Sequence, residues 1–251
     1  MSANELQVTS LTHVGRRKNN EDSLCVRPEL GLYAVADGMG GYEGGEVASH
    51  LAIDELIAFV VRNRRDPSGT WPCKEDKKRS FVENLLAAGV MVAHQQIVAQ
   101  RHDELAQMGS TVVAAIAEAG RLFFAHVGDS RLYRLRAGQL EQLTKDHSLW
   151  AELEANGLGG GRTREDFPYR NQITRALGTN VARPDLGSVE LASGDTYLLC
   201  SDGLYDPLND EVVARLMALP LEEAAPALVQ AAYDAGGSDN ISVVMLRVPE
   251  A

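Results

Sequence analysis

Residues 32–41 read Leu-Tyr-Ala-Val-Ala-Asp-Gly-Met-Gly-Gly, an apolar run that stops at an aspartate and a glycine-rich turn. A short apolar run closed by turn residues predicts a β-strand, here 31–36 ending at Asp37-Gly38. The turn Gly38–Gly45 leads into Val47, Leu51, Ala52 and Leu56, whose helical spacing continues to about Arg62. Upstream, 6–14 and 22–27 read as strands. Downstream, polar residues with Pro67, Gly69 and Pro72 make 63–79 a loop.

A second helix is expected over about 80–104, with Val82, Leu85, Leu86, Ala93 and Ile97 on one face. Apolar runs at 110–118, 121–128 and 131–136, parted by Ala119-Gly120 and Ala137-Gly138-Gln139, predict an antiparallel meander. A short helix near 148–156 precedes the glycine-rich stretch 157–161. A strand at 195–200 ends at Ser201-Asp202-Gly203. Helices at about 209–218 and 221–235 follow, the second stopped by Gly236-Gly237, and 241–248 is the last strand. Blocks of helices between blocks of strands, without a βαβ rhythm, favour an α+β fold with largely antiparallel sheets in one domain, 1–251.

The chain has 251 residues, 45% hydrophobic and 24% charged, the composition of a globular domain. No stretch approaches the roughly 20 apolar residues of a membrane span, and Met1–Glu5 lacks the features of a secretory signal. Cys25, Cys73 and Cys200 lie far apart, a pattern that suits a reducing cytoplasm. The net charge of −11 argues against nucleic acid as a partner. A cytoplasmic protein without membrane attachment, and a monomer, is expected.

Four aspartates share one context. Asp37, Asp129, Asp202 and Asp239 each sit at an end of an expected strand, and Glu21-Asp22 precedes another. Asp-Gly is a common turn dipeptide, so hairpin turns are one reading. The other is a shared site, where gathered carboxylates repel unless cations neutralise them, and all-oxygen ligands suit Mg²⁺ or Mn²⁺. The six histidines form no zinc-type set. Arg17, five residues before Asp22, offers a guanidinium suited to gripping phosphate; a solvated basic run is the plainer alternative.

Eight blocks stand in order over some 230 residues. They are Gly-Arg-Arg-Lys-Asn-Asn-Glu-Asp (15–22), Val-Ala-Asp-Gly-Met-Gly-Gly (35–41), Gly-Ser-Thr (109–111) and Ala-His-Val-Gly-Asp-Ser-Arg (125–131). Then come Leu-Thr-Lys-Asp-His (143–147), Ile-Thr-Arg-Ala-Leu-Gly (173–178), Leu-Leu-Cys-Ser-Asp-Gly-Leu-Tyr-Asp (198–206) and Gly-Ser-Asp-Asn-Ile-Ser-Val-Val (237–244). Together they resemble the type 2C metal-dependent (PPM) serine/threonine protein phosphatases of compact bacterial type.

The resemblance implies a four-layer α-β-β-α sandwich with two metal ions, Mn²⁺ or Mg²⁺, at one sheet edge. Asp37 would bridge both ions and the Gly38 carbonyl would bind one, while Asp202 and Asp239 would hold the other. Glu21 and Asp22, pointing to opposite sides of an extended segment, would act mainly through bound waters. Asp129, with Asp202, matches the position of a third ion, and Arg17 would bind the substrate phosphate. The Gly109–Thr111 and Gly237–Asn240 steps look structural as much as functional.

The implied reaction is hydrolysis of phosphoserine and phosphothreonine on proteins, a metal-bridging hydroxide attacking phosphorus in line. Such an enzyme would oppose a serine/threonine kinase. Met39 stands where some members carry His, which leaves a metal-bound water as the source of the leaving group's proton. The stretch 148–172 matches the family's flap, a lid on the substrate side or otherwise a surface loop. Two competing readings are a catalytically dead relative that binds phosphoproteins and a different carboxylate-metal hydrolase acting on small phosphoesters.

Overall fold

The computed structural model describes residues 6–40, 44–66, 71, 74–164 and 166–250. Its strands, in chain order, are β1 (Gln7–His13), β2 (Asp22–Arg27), β3 (Leu32–Met39), β4 (Gly109–Ser110), β5 (Val112–Glu118), β6 (Arg121–Val127), β7 (Arg131–Arg136), β8 (Gln139–Gln142), β9 (Asp185–Glu190), β10 (Thr196–Cys200) and β11 (Ile241–Arg247). One sheet runs β1-β11-β10-β7-β8. The other runs β2-β3-β5-β6-β9, with β4 added at the end of β3. Every pairing is antiparallel. The helices are α1 (Gly44–Arg65), α2 (Phe81–Ala99), α3 (Leu149–Ala155), α4 (Asp202–Tyr205), α5 (Asp210–Met217) and α6 (Leu221–Asp234).

Alternation along the strands builds three apolar layers. On β3, Leu32, Ala34 and Ala36 pack with residues of α1 and α2, while Tyr33 and Val35 face the other sheet. On β10, Leu198 and Cys200 meet α5 and α6, and Tyr197 and Leu199 point back between the sheets. β11 divides likewise: Val243 and Met245 lie towards the helices, Val244 and Leu246 towards the sheet interface. Both faces of these central strands are therefore covered, which explains their unbroken apolar runs. The result is the α+β sandwich of two antiparallel sheets flanked by helices.

Local signals set the joints. Ser80 caps α2, its hydroxyl accepting from the Glu83 N–H at 3.2 Å while the Glu83 carboxylate accepts from the Ser80 N–H at 2.9 Å. Ala119-Gly120 and Ala137-Gly138 join β5 to β6 and β7 to β8 with positive φ at both residues, the geometry that matches the twist of a tight hairpin. The strand expected over 31–36 continues through Asp37 to Met39, because Gly38 and Met39 pair with β4. The helix expected over 80–104 stops at Ala99, and Asp103–Leu105 form a separate 3-10 turn. α1 runs to Arg65, past the expected Arg62; of the loop expected over 63–79, residues 67–70 and 72–73 lie outside the described residues. β8 and β9 were not expected. Each carries only one or two large apolar residues, Leu140 in β8 and Leu186 and Val189 in β9, too few to show a run or an alternation. No helix among the described residues is long and apolar enough to cross a membrane.

Leu199 is fully buried between the sheets. Leu199→Ala should lower unfolding stability by about 2–4 kcal/mol in urea titration; an unchanged midpoint would contradict the packed inter-sheet layer.

Candidate metal and phosphate site

β2 and β3 place Asp22 directly opposite Asp37, a like-charge cross-strand pair at the sheet end. The same end receives Asp129 just after β6, Asp202 at the start of α4 and Asp239 just before β11. Arg17, Glu21, Asp37, Gly38, Asp129, Asp202 and Asp239 line one cleft of about 430 Å³. Asp22 lies buried beside it, one carboxylate oxygen accepting from the Ser201 hydroxyl at 2.8 Å and the other, Oδ1, without a partner. The adjacent acids Glu21 and Asp22 thus divide, one to the cleft and one inward.

Backbone packing dictates the glycines. A Cβ on Gly38 would sit 2.0 Å from the Gly45 carbonyl oxygen, where α1 begins, and one on Gly203 would sit 2.0 Å from that of Asn240. Neither Asp-Gly step is a free hairpin turn; each is a close crossing of two chain segments.

Neutral side chains hold the acids in place. Thr111 donates its N–H to the Asp37 carbonyl at 2.8 Å, its hydroxyl accepts from the Asp37 N–H at 3.1 Å, and Ser130 lies 2.7 Å from that hydroxyl. Asn240 donates from Nδ2 to the Val14 and Asn19 carbonyls, both at 2.9 Å, and accepts the Glu21 N–H at 2.8 Å. That amide fixes the segment carrying Arg17, Glu21 and Asp22. Tyr205 donates to the Asp129 carbonyl at 3.0 Å. In the sequence Thr111, Asn240, Ser201 and Tyr205 stand only within longer blocks, and these contacts give them their roles. Asn171 and Ile173, from the 148–172 and 173–178 segments, also line the site, with no local signal that marks them.

Electrostatics follow from this crowding. Burial, then the charges of Asp22, Asp202, Asp129 and Asp239, raises the Asp37 carboxyl well above its ordinary range. Asp202 is raised in the same direction by burial and by Asp129, Asp206, Asp239 and Asp22. Asp22 is pushed up to about 6, chiefly by burial, and Asp129 to about 7 by burial and Asp146. Burial also raises Glu21. Among the described residues, the one cation in the cleft lining is Arg17, whose Nη2 donates to Asp239 Oδ2 at 2.6 Å and whose Nε donates to the Ser238 carbonyl at 2.9 Å. An all-oxygen acidic donor set, with an unsatisfied buried carboxylate oxygen, fits hard divalent cations.

Two other chemistries lack support. The Cys25 and Cys200 thiols are buried and pushed up to about 12, so neither is a nucleophile near neutral pH; Cys73 lies outside the described residues. His126, His147 and Asp185 gather three possible ligand atoms within 4.8 Å. The two imidazoles, however, stack at 4.5 Å with planes 22° apart, so their in-plane lone pairs do not converge on one ion. His147 instead accepts the Gly128 N–H at Nδ1 (3.1 Å), and its Nε2 lies 3.2 Å from Asp185. The imidazole therefore ties the Asp129 corner to β9.

The protein phosphatase 2C family model matches residues 11–231, and the chain belongs to that family. It is 38% identical over 235 residues to the serine/threonine protein phosphatase PstP of Mycobacterium tuberculosis, covering 92% of this chain and 43% of that protein. The chain thus spans less than half the length of that relative. It is 32% identical to the protein phosphatase PhpP of Streptococcus pneumoniae, with 98% of each covered. Among solved structures, M. tuberculosis PstP/Ppp superposes with a TM-score of 0.85 at 35% identity, covering 98% of this chain and 99% of that one. The PstP catalytic domain in complex with two manganese ions gives 0.81 at 36% identity, with the same coverage.

Asp22 and Asp129 bind protons in the folded chain up to about pH 6 and 7, whereas unfolded aspartates release them near pH 4. The native state then carries more protons between those limits, so metal-free stability falls as pH rises from about 4 to 7. In chelator the melting temperature should drop from pH 5 to pH 7.5, and Mn²⁺ should raise it more at pH 7.5. A pH-independent melting temperature that Mn²⁺ leaves unmoved would contradict the acidic cluster.

Proposed function

We propose that the chain is a single catalytic domain, 1–251, that hydrolyses phosphoserine and phosphothreonine on proteins with Mn²⁺ or Mg²⁺ as cofactor. The observation that carries this is the convergence of six carboxylates from five separate segments on one sheet end. Membership of the family and the manganese-bound PstP domain support the same reading. Asp37 and the Gly38 carbonyl, with Asp202 and Asp239, would hold two ions. Glu21 and Asp22 would support them, and Asp129 with Asp202 offers a place for a third. Bound there, the cations would supply the charge that acidifies an attacking water and polarises the phosphoryl oxygens.

The chain's own groups do the rest. Arg17 reaches the cleft from an exposed position, its side chain 55% exposed, and its guanidinium is shared with Asp239 alone among the carboxylates. It orients the phosphate, because a planar fork matches two phosphoryl oxygens. Thr111 and Asn240 keep Asp37 and the Glu21–Asp22 segment fixed, so the carboxylates need not reorganise during the reaction. Met39 lines the cleft beside Gly38 and brings no ionisable group, so this position supplies no proton to the leaving oxygen.

The 148–172 segment forms the flap. α3 is capped by Ser148, Trp150 packs on Phe167 at 5.4 Å, and Leu158 and Tyr169 are exposed on its surface. Those apolar side chains suit contact with a protein substrate rather than a small phosphoester. We place the enzyme in the cytoplasm as a monomer opposing a serine/threonine kinase, without nucleic acid or membrane partners.

Phosphate release from a phosphothreonine peptide should require Mn²⁺ or Mg²⁺. Asp37→Asn and Asp239→Asn should each lower kcat/KM by about 10²-fold or more, and Arg17→Ala by a similar factor. Wild-type protein inactive with either metal would sink the hydrolase reading in favour of a phosphoprotein-binding relative.

A further inference from the structure

The acidic cleft is one end of a longer depression. It shares Met39 and Ile173 with a neighbouring hollow of about 360 Å³. That hollow in turn shares Arg175 and Val181 with a third, of about 480 Å³. Character changes along this course, from the carboxylate cluster, through a mixed stretch where Met39, Ile173, Ala176 and half-exposed Val181 lie beside Thr174, Thr179 and Asn180, to a basic end.

The basic end is lined by Arg79, Arg175 and Arg183, with Asp185 as its acid. On a chain of net charge −11, three guanidiniums around one hollow stand out. Asp185 pairs with one of the three: Oδ1 accepts from Arg175 at 2.9 Å, and Oδ2 lies 3.2 Å from His147. Arg79 has loose neighbours only, Asp76 at 3.4 Å and Glu83 at 3.8 Å. Arg183 is exposed and makes no hydrogen bond or ion pair among the described residues. Such a guanidinium fork is suited to pairing with a planar carboxylate.

We propose that this basic end is a specificity subsite for acidic side chains of the substrate, with Arg183 as its principal contact and Arg175 and Arg79 beside it. This rests on the phosphatase reading above. The phosphorylated residue enters the carboxylate cleft, the intervening peptide lies over the Met39–Val181 stretch, and an aspartate or glutamate further along the same chain reaches the arginines. Continuity with the cleft fixes the occupant as the substrate itself, and charge complementarity fixes its chemistry. A basic residue there would be repelled, so the subsite discriminates in both directions.

The test uses the Mn²⁺-loaded full chain and phosphothreonine peptides in which one glutamate, alanine or lysine is moved stepwise to either side of the phosphothreonine. One position should favour glutamate over alanine by about fivefold in kcat/KM, less at high salt. Arg183→Glu should reverse that preference towards lysine, Arg183→Lys should retain part of it, and turnover of p-nitrophenyl phosphate should stay at the wild-type level in both variants. Full turnover of p-nitrophenyl phosphate with no glutamate preference at any position, or with a preference that Arg183→Glu leaves intact, would overturn the subsite alone. Absence of any metal-dependent turnover in the wild type would overturn the phosphatase reading and the subsite with it.

Discussion

Asp22 and Asp37 face each other across the β2–β3 ladder, and the mutual repulsion of these two carboxylates sets the terms for the rest of the molecule. Left to relax, a buried like-charge pair would separate or take up protons. Main-chain pairing, which side-chain repulsion does not easily undo, prevents the separation, so in the metal-free chain both carboxyls hold protons above the usual aspartate range. Further acids arrive from β6, β10 and the approach to β11, each on backbone anchored in a sheet. The energetic burden of the site is thereby placed on the two-sheet core, whose three apolar layers are indifferent to charge.

That division explains where the polar buried groups lie. Thr111, Ser130, Ser201, Asn240 and Ser242 are all buried at the end of the sandwich where the acids meet. They bind one another, the main chain or a carboxylate; Ser201, for instance, donates to Asp22 and accepts the Ser242 N–H at 3.0 Å. Because hydroxyls and amides carry no charge, they fix position without discharging the acids. A lysine or arginine at these places would satisfy the carboxylates internally and remove their need for a cation. Rigidity and residual charge are supplied by different residue types.

Central elements were legible in the sequence because their signals are local. The apolar runs of β3, β5, β6, β10 and β11, the Ala119-Gly120 turn and the Gly236-Gly237 stop each act over a few residues. β8 (Gln-Leu-Glu-Gln) and β9 (Asp-Leu-Gly-Ser-Val-Glu) were not, since each carries too few apolar residues to show a run or an alternation. At the site, the acids stood out through repeated strand-end placement, and their family resemblance suggested roles. The cleft positions of Asn171 and Ile173 could not be read, because they depend on how a chain segment distant from β3 folds back over the sheet end. Nor could the reason for Gly38 and Gly203: an Asp-Gly step looks like a turn until the crossing backbone of Gly45 or Asn240 is in view.

The nearby arginines show why the acids stay uncompensated. Arg131 makes a bidentate pair with Asp146, its Nη2 reaching Oδ2 at 2.6 Å, and packs over the Tyr205 ring at 3.5 Å. Arg164, from the 148–172 segment, donates to Asp206 at 2.6 Å and approaches the same ring at 5.4 Å. Tyr205 in turn donates to the Asp129 carbonyl, so both guanidiniums stand close to the cleft. Each is committed to a carboxylate outside the group of six, as Arg175 is to Asp185. Only Asp239 has a guanidinium partner among those six, and that partner, Arg17, is exposed enough to exchange it for an incoming anion. Internal cations have been paired off around the cleft rather than within it, and the remaining negative charge is left to ions from solution.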